Sequence, residues 1–300
     1  MNTPSNAAPE LSAAVSETRP LYWSVRRELW ENRSIYLAPL SVAAFVLFGF
    51  LISAVGMPAR RRAALLLDPA HQRAAIERPY DVAAMMLIVT ALLVGVFYCL
   101  DALYGERRDR SILFWKSMPV SDLTTVLAKA SIPFVVLPLL SFAIILTTQL
   151  IILLVSTVVL LPSGLAATTW TRLPFLQNSL VLLYGLITLA LWHAPIYGWL
   201  LLVSGWARRA TFLWAFLPLF AIGVVEKVAF NSSYFGALMK YRLVGVFERA
   251  FNVAPHGTVD SLRQLTLGRF LSTPGLWLGL AFAAAFLAAA VRLRRYREPI

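Results

Sequence analysis

Residues 132–161 read IPFVVLPLLSFAIILTTQLIILLVSTVVLL, a run that contains no charged side chain. A helix needs about 20 mainly apolar residues to cross about 30 Å of hydrocarbon, so this run is longer than one crossing requires. Its apolar residues are continuous rather than alternating, which indicates a helix and not a strand of a membrane barrel. Pro133 and Pro138 near its start predict a kink in that helix. The stretch therefore favours an all-α protein that spans a membrane.

Five further runs meet or approach the same length, and they predict a polytopic protein with six transmembrane helices. The six spans cover about residues 36–56, 82–104, 132–161, 179–203, 212–229 and 275–293. The chain of 300 residues is 59% hydrophobic and 14% charged, whereas soluble domains are roughly 45–50% apolar and about 25% charged. We expect a disordered cytosolic tail over 1–20, no cleavable signal peptide, and a single transmembrane domain over 21–300.

The basic charge and the missing motifs exclude several function classes. A net charge of +12 suits nucleic acid, but the arginines stand beside apolar spans, where lipid headgroups and topology control explain them. None of the 15 glycines is followed by lysine, so the chain has no phosphate-binding Walker loop. The metalloprotease and serine-hydrolase motifs are also absent, and Cys99 and the three histidines are too scattered for a metal site. We expect no catalytic residue, metal or cofactor in this chain.

The orientation follows from basic residues beside the span ends. Six spans place both termini on one side of the membrane. The turn at Arg208 and Arg209 and the ending RLRRYR (292–297) abut spans closely and favour cytoplasmic termini. The basic run 60–62 argues the other way. We predict that both termini are cytoplasmic, which leaves 57–81 and 230–274 outside as an added outer helix and as short helices at the outer leaflet.

The polar interval 101–129, DALYGERRDRSILFWKSMPVSDLTTVLAK, differs from a simple solvated loop. Charged residues fill 106–110, and four apolar residues follow at 112–115. Pro119 marks a break, and Ser121 can cap the next helix. The pattern predicts a short surface helix with one face at the membrane and the other against a soluble partner. The alternative is a positively charged inner loop without a partner.

A second surface helix is predicted before the first span, in LYWSVRRELWENRSIY (21–36). Aromatic and aliphatic residues lie near one face of it, and Arg26 and Arg27 lie largely elsewhere. This pattern is typical of a basic amphipathic helix in the membrane interface. The alternative is an ordinary aromatic-rich start of the first span.

Three ionisable residues in or near the spans are candidates for a transport pathway or gate: Asp101, His193 and Glu226. Charges in hydrocarbon usually have a function. For Glu226 the alternative is interfacial anchoring, and for His193 it is a hydrogen-bonded packing role beside Pro195.

The segment YGERRDRSILFWKSMPVSDLTTVLAK (104–129) resembles the coupling region of ABC transporter permeases of the type-2 exporter class. The ending TPGLWLGLAFAAAFLAAAVRLRRYRE (273–298), the six spans and the amphipathic first helix resemble the same family. The resemblance implies a bacterial inner-membrane permease that works with a second copy or a paralogue. It also implies that ATP and Mg²⁺ are bound by a separate cytosolic ATPase, and that the segment between spans five and six supplies outer re-entrant helices.

The resemblance also assigns roles to individual residues. The coupling helix that contacts the ATPase would comprise Glu106, Arg107, Arg108, Asp109, Arg110, Ile112, Leu113, Trp115, Lys116 and Pro119. The connecting helix beside it would present Trp23, Arg26, Arg27, Leu29 and Trp30.

Other functions are compatible with the composition. A secondary transporter or channel that needs no ATPase would show broken helices or mid-membrane charges, and His193 has the required depth. A membrane enzyme lacks a visible catalytic constellation. A membrane scaffold or sensor with an ATPase partner is the remaining alternative. We expect lipid contacts and no nucleic acid, and the predicted function is ATP-driven transport, in the export direction implied by the resemblance.

Overall fold

The computed structural model describes residues 19–117, 120–252 and 262–296. These ranges are almost entirely helical and contain no strand. The helices of the first half are α1 Pro20–Glu31, α2 Ser34–Ala54, α3 Met57–Ala64, α4 Pro69–Ala102, α5 Tyr104–Arg108, α6 Ser111–Ser117, α7 Asp122–Ser131 and α8 Leu137–Leu160. Those of the second half are α9 Ala166–Arg172, α10 Phe175–Trp192, α11 Ala194–Trp206, α12 Thr211–Phe230, α13 Tyr234–Ala250, α14 Leu267–Leu271 and α15 Pro274–Tyr296.

Six helical segments of the described chain are long and apolar enough to cross a membrane, which confirms the all-α class and supports an integral membrane protein. They are Ser34–Ala54, His71–Arg108, Asp122–Ser163, Phe175–Trp192, Thr211–Phe230 and Pro274–Tyr296. Large apolar side chains on their outer faces are exposed, such as Phe48 and Phe220. This is expected where lipid replaces water as the solvent.

Two of these segments differ from the predicted spans in an informative way. The second segment belongs to α4, which begins at Pro69, well before residue 82. Pro79 lies inside this helix and does not end it. The third is interrupted by a π-helical turn at Ile132–Val136, where the sequence predicted a kink. Pro133 lacks the N–H that a regular helix needs at this point, and a π-helical turn is one way for a helix to continue past such a residue.

The predicted fourth span, 179–203, is two helices rather than one. α10 ends at Trp192, His193 has non-helical backbone angles (φ −85°, ψ 1°), and α11 starts at Ala194. Pro195 lies in the first turn of α11, where a missing N–H costs nothing. Because Pro195 has no N–H to donate, the backbone hydrogen bonds of α10 cannot continue through it, and a new helix begins here.

Helices occupy much of the two long connecting segments, 57–81 and 230–274. Residues 57–81 form α3 and the first turns of α4, and α13 occupies most of the described part of 230–274. The predicted tail 1–20 lies outside the described residues up to position 18, and Pro119 lies outside them as well.

The helices pack into one bundle with two distinct ends. The most extensive contact joins α11 to α15. There Gly198 permits a close approach of the two helices, since a Cβ on it would lie 3.2 Å from the Cα of Ala283. We call the end that holds α1, α5, α6 and α7 the base, and the end that holds α3 and α9 the top. α2 connects the two, and it packs on α4 and α8.

Candidate functional site

The predicted connecting helix, α1, lies at the base with its aromatic residues outward. Trp23 and Trp30 are 55% and 63% exposed, and the Arg26 guanidinium lies over both rings at 5.3 and 4.6 Å. Leu29 packs against the core between the spans. The buried side chain of this helix is a charged one, Glu28, at 1% exposure. α1 is therefore attached to the bundle through a carboxylate as well as through apolar contacts.

α5, the start of the predicted coupling segment, is anchored against the end of α11. The buried Ser204 hydroxyl accepts hydrogen bonds from the backbone N–H groups of Leu103 and Tyr104, both at 2.9 Å. The guanidinium of Arg107 donates to the carbonyls of Gly205 and Ala207, at 2.8 and 3.1 Å. These bonds satisfy carbonyls at a helix end that would otherwise be left without partners. These hydrogen bonds hold α5 against the end of α11.

At the base lies a group of charged side chains, which we call the base charge cluster. Glu28, Glu106, Lys129 and Arg294 are buried, and Arg27 and Asp122 are half-buried. Lys129, at 2% exposure, lies at its centre. Its ammonium is 2.8 Å from the Glu28 carboxylate and 3.2 Å from that of Glu106. Three cations face three anions within the cluster, and the more exposed Glu31 carboxylate also lies 3.5 Å from Arg27. Burial of charge is tolerated when it is paired in this way.

Arg294 brings the end of the sixth span into the base charge cluster. Its guanidinium lies 3.1 Å from the other oxygen of Glu106 and also pairs with Asp122. Asp122 begins α7, which runs into the third span. Glu106 therefore contacts cations from three other elements, since Arg27 of α1 reaches it at 2.9 Å.

Two further contacts complete the base charge cluster. The Tyr98 hydroxyl, on α4, donates to Glu28 at 2.8 Å. The ring of Trp115 lies 3.9 Å below the guanidinium of Arg27, a cation–π distance that joins α6 to α1. Burial lowers the pKa of Arg27, but the carboxylates of Glu28, Glu31 and Glu106 outweigh it, and the pKa is raised. Together, the ion pairs, the Tyr98 hydrogen bond and the Trp115 ring contact link α1, α4, α5, α6, α7 and α15.

The predicted ATPase-contacting residues divide into a buried and an exposed set. Glu106, Arg107 and Ile112 are buried against this chain's own helices. Leu113 and Phe114 are 59% and 60% exposed, and Arg108, Asp109, Arg110 and Lys116 are exposed as well, with Trp115 half-buried. We call the exposed set, with Trp23 and Trp30 of α1, the base surface. Arg110 has a positive φ of 57° between α5 and α6, a strained conformation that turns the chain so that α6 presents Leu113 and Phe114.

The three candidate pathway residues are not brought together. Asp101 is exposed at the base, 3.8 Å from Arg108. His193 is buried at the break between α10 and α11, where its Nδ1 lies 2.9 Å from the Leu189 carbonyl. Glu226 accepts hydrogen bonds from the backbone N–H groups of Tyr234 and Phe235, at 2.6 and 2.8 Å, and so caps α13. Among the described residues no hydrogen bond or ion pair joins any two of the three.

Sequence reasoning did not assign Glu28, Tyr98, Asp122, Lys129 and Arg294 to a site. A weak signal existed for Lys129, which stands in the apolar context TTVLAKASI (124–132) just before the longest apolar run. Its two partners, Glu28 and Glu106, come from other parts of the chain, so their pairing depends on the fold. In the ranges that the structure describes, no group of three or more His, Cys, Asp or Glu side chains could hold a metal ion.

Comparisons of the chain with known protein families, with curated proteins and with solved structures found no match. The assignment of a function therefore depends on the base surface, the base charge cluster and the sequence resemblance.

Proposed function

We propose that this chain is the membrane-spanning subunit of an ATP-binding cassette transporter, driven by a separate cytosolic ATPase that docks on the base surface. One observation carries the proposal: an exposed surface of mixed charged and aromatic side chains is joined by buried ion pairs to the ends of several spans. Leu113 and Phe114 supply apolar contact area, and Arg108 and Asp109 supply orientation. Interfaces between proteins commonly combine aromatic anchors with a polar rim in this way.

The connection beneath the surface suits the transmission of force. α1 leads into the first span through Asn32 and Arg33, and α5 follows the second span directly. α7 and α15 continue into the third and sixth spans, and both are held by Glu106 or its partners. Since packed and ion-paired elements shift as a unit rather than deforming continuously, displacement of the base surface would move four span ends together.

The energy source is assigned to the partner. The sequence lacks a Walker loop, so ATP and Mg²⁺ would be bound by the ATPase. Closure of two ATPases on ATP would favour one of two arrangements of a pair of permease subunits, and hydrolysis would release it. The direction of export comes from the sequence resemblance.

The proposal is tested by co-expression with the ATP-binding cassette ATPases of the same genome, followed by purification through a tag on the chain. Leu113→Asp places a charge on the base surface, and Leu66→Asp is the matched control, because Leu66 is 88% exposed in the linker at the top. We expect the ATPase to co-purify with the wild type and the L66D variant and to be lost with L113D. Retention of the ATPase by the L113D variant would contradict the proposal.

A further inference from the structure

A cavity of about 630 Å³ lies at the top of the bundle between α2, α3, α4 and α8. This volume is within the range of about 300–1,000 Å³ that is usual for small-molecule sites. One part of its lining is apolar and includes Phe45, Val46, Phe50, Val82, Met86 and Ile152. Another part is basic and consists of Arg60, Arg61 and Arg78. The cavity is thus amphipathic, with its charge of one sign.

Arg61 is buried here without a partner for its charge. Its exposure is 7%, and its Nη1 atom has no hydrogen-bond partner among the described residues. The carboxylate of Glu77, which stands between the lining residues Ile76 and Arg78 in the sequence, is held by Arg73 at 2.9 Å. Burial lowers the pKa of Arg61, and no carboxylate offsets that effect. A buried cation without a counter-ion is costly, so the position is explained best by an anion that is supplied from outside the chain.

Other lining groups support an anion at the same place. The Tyr80 hydroxyl is also buried without a well-formed hydrogen bond in the described part of the chain, and it can donate to an oxygen anion. The neighbouring Ser156 hydroxyl donates instead to the Ile152 carbonyl, at 2.7 Å. No Asp or Glu occurs among the described residues that line the cavity. An anion would therefore meet three guanidinium groups and a phenol and no repelling carboxylate.

The apolar part of the cavity opens sideways on α2, a helix that is apolar enough to span the membrane. Phe45 at its rim is 68% exposed. At Gly49 an added Cβ would have no atom within 4 Å, so the backbone of α2 borders open space. This opening suits an aliphatic chain that enters from the hydrocarbon layer, and it does not suit a small hydrophilic anion.

We propose that the cavity binds one anionic lipid, with its phosphate or carboxylate headgroup against Arg61 and Tyr80 and its acyl chain along Gly49 and Phe45. The site is assigned from the cavity alone, so it would hold for a transporter, a channel or a scaffold. It does not rest on the proposed ATPase coupling.

The headgroup part is tested by native mass spectrometry of the full chain in neutral detergent. The probes are dioleoylphosphatidylglycerol, dioleoylphosphatidylcholine and inorganic phosphate. We expect one phosphatidylglycerol per chain, bound about tenfold or more tightly than phosphatidylcholine, since charge-assisted hydrogen bonds carry the difference. Arg61→Gln should weaken phosphatidylglycerol binding about tenfold or more. Arg62→Gln removes the same charge from an exposed neighbour on α3 and should leave the affinity unchanged.

The acyl-chain part is tested by Gly49→Leu, which fills the open space beside α2 and improves helix propensity. We expect this variant to lose phosphatidylglycerol binding. Gly236→Leu is the matched control, because a Cβ added at Gly236 would likewise have no atom within 4 Å, but this residue lies on α13 away from the cavity.

Three results would overturn the proposal. The first is equal affinity of the wild type for the two lipids, and the second is equal weakening by R61Q and R62Q. The third is normal phosphatidylglycerol binding by G49L while inorganic phosphate displaces the lipid, which would show a simple phosphate site. If R61Q does not yield a monodisperse protein, the comparison of G49L with G236L decides.

Discussion

The base and the top of the bundle both bury arginine, but they treat its charge in opposite ways. At the base, Arg294 is 4% exposed and contacts the carboxylates of Glu106 and Asp122. At the top, Arg61 is 7% exposed and lines an open cavity without a carboxylate partner. A buried cation that is ion-paired within the chain joins helices together. A buried cation without such a partner can instead bind an anionic ligand. The base therefore has the features of a rigid connection between helices, and the top has those of a binding site.

The largest expected effect comes from removing the central cation of the base. Lys129→Met removes a positive charge that offsets the negative charges of Glu28 and Glu106. Removing one partner of a buried ion pair costs about 3–5 kcal/mol. We expect the free energy of unfolding in mixed micelles to fall by about that amount. Lys116→Met is the control, because Lys116 is exposed at the same end, and its variant should differ little from the wild type. Equal stability of K129M and the wild type would show that the base charge cluster is not a structural joint.

The coupling within the cluster is measured by a double-mutant cycle. Glu28→Gln removes the carboxylate 2.8 Å from Lys129, so the loss in the double variant should be smaller than the sum of the two single losses. Contacting residues in one network usually show an interaction energy of about 0.5–3 kcal/mol. The measurement is the same unfolding titration on all four proteins, and simple additivity would mean that the two side chains act independently.

A smaller effect is expected for Tyr98, the uncharged residue that hydrogen-bonds to the base charge cluster. Tyr98→Phe removes the hydroxyl that donates to Glu28 at 2.8 Å, and a hydrogen bond to a charged group contributes about 1.5–3 kcal/mol. We expect thermal unfolding of Y98F at a lower temperature than wild type, with a shift smaller than that of K129M. Tyr36→Phe is the control, because the hydroxyl of this half-buried tyrosine is outside the cluster. A Y98F protein as stable as Y36F would contradict the role of the hydroxyl.

The smallest effect is expected at the top, and it sharpens the comparison most. Without lipid, Arg61→Gln removes a buried charge that has no carboxylate partner, so the unfolding free energy should stay within about 1 kcal/mol of wild type or rise. The unfolding titration is done in neutral detergent and repeated with phosphatidylglycerol, which should stabilise the wild type only. A loss as large as that of K129M in neutral detergent would mean that the Arg61 charge is compensated within the protein.

The sequence predicted what depends on local composition. The apolar runs were sufficient to predict six helices long and apolar enough to cross a membrane, and Pro133 indicated the break at the start of the third. The division at His193 was missed because the apolar run continues through it, although Pro195 was a usable signal. The extra length of α4 was missed because Pro79 normally ends a helix, and here it does not.

The candidate site was predicted only in part, for a physical reason. Residues such as Leu113 and Arg108 can be recognised locally as an amphipathic surface pattern. The pairing of Glu28, Glu106, Lys129 and Arg294 joins residues that are far apart in the chain, and no local pattern contains that information. Glu106, Arg107 and Ile112, predicted as docking residues, are buried against this chain. The accessible part of the predicted interface is therefore 108–110 and 113–116, with the exposed face of α1.

The central claim, that an ATPase docks on the base surface, is tested most directly by site-specific cross-linking in membranes. The one cysteine of the chain, Cys99, is fully buried, so a new surface cysteine is the reactive one. Leu113→Cys is placed on the base surface and Leu66→Cys at the top. Each variant is co-expressed with the ATP-binding cassette ATPases of the same genome and treated with a cysteine-to-lysine linker. The proposed function predicts a cross-linked permease–ATPase band from position 113 and none from position 66. Absence of the band from position 113, or equal bands from both positions, would contradict it.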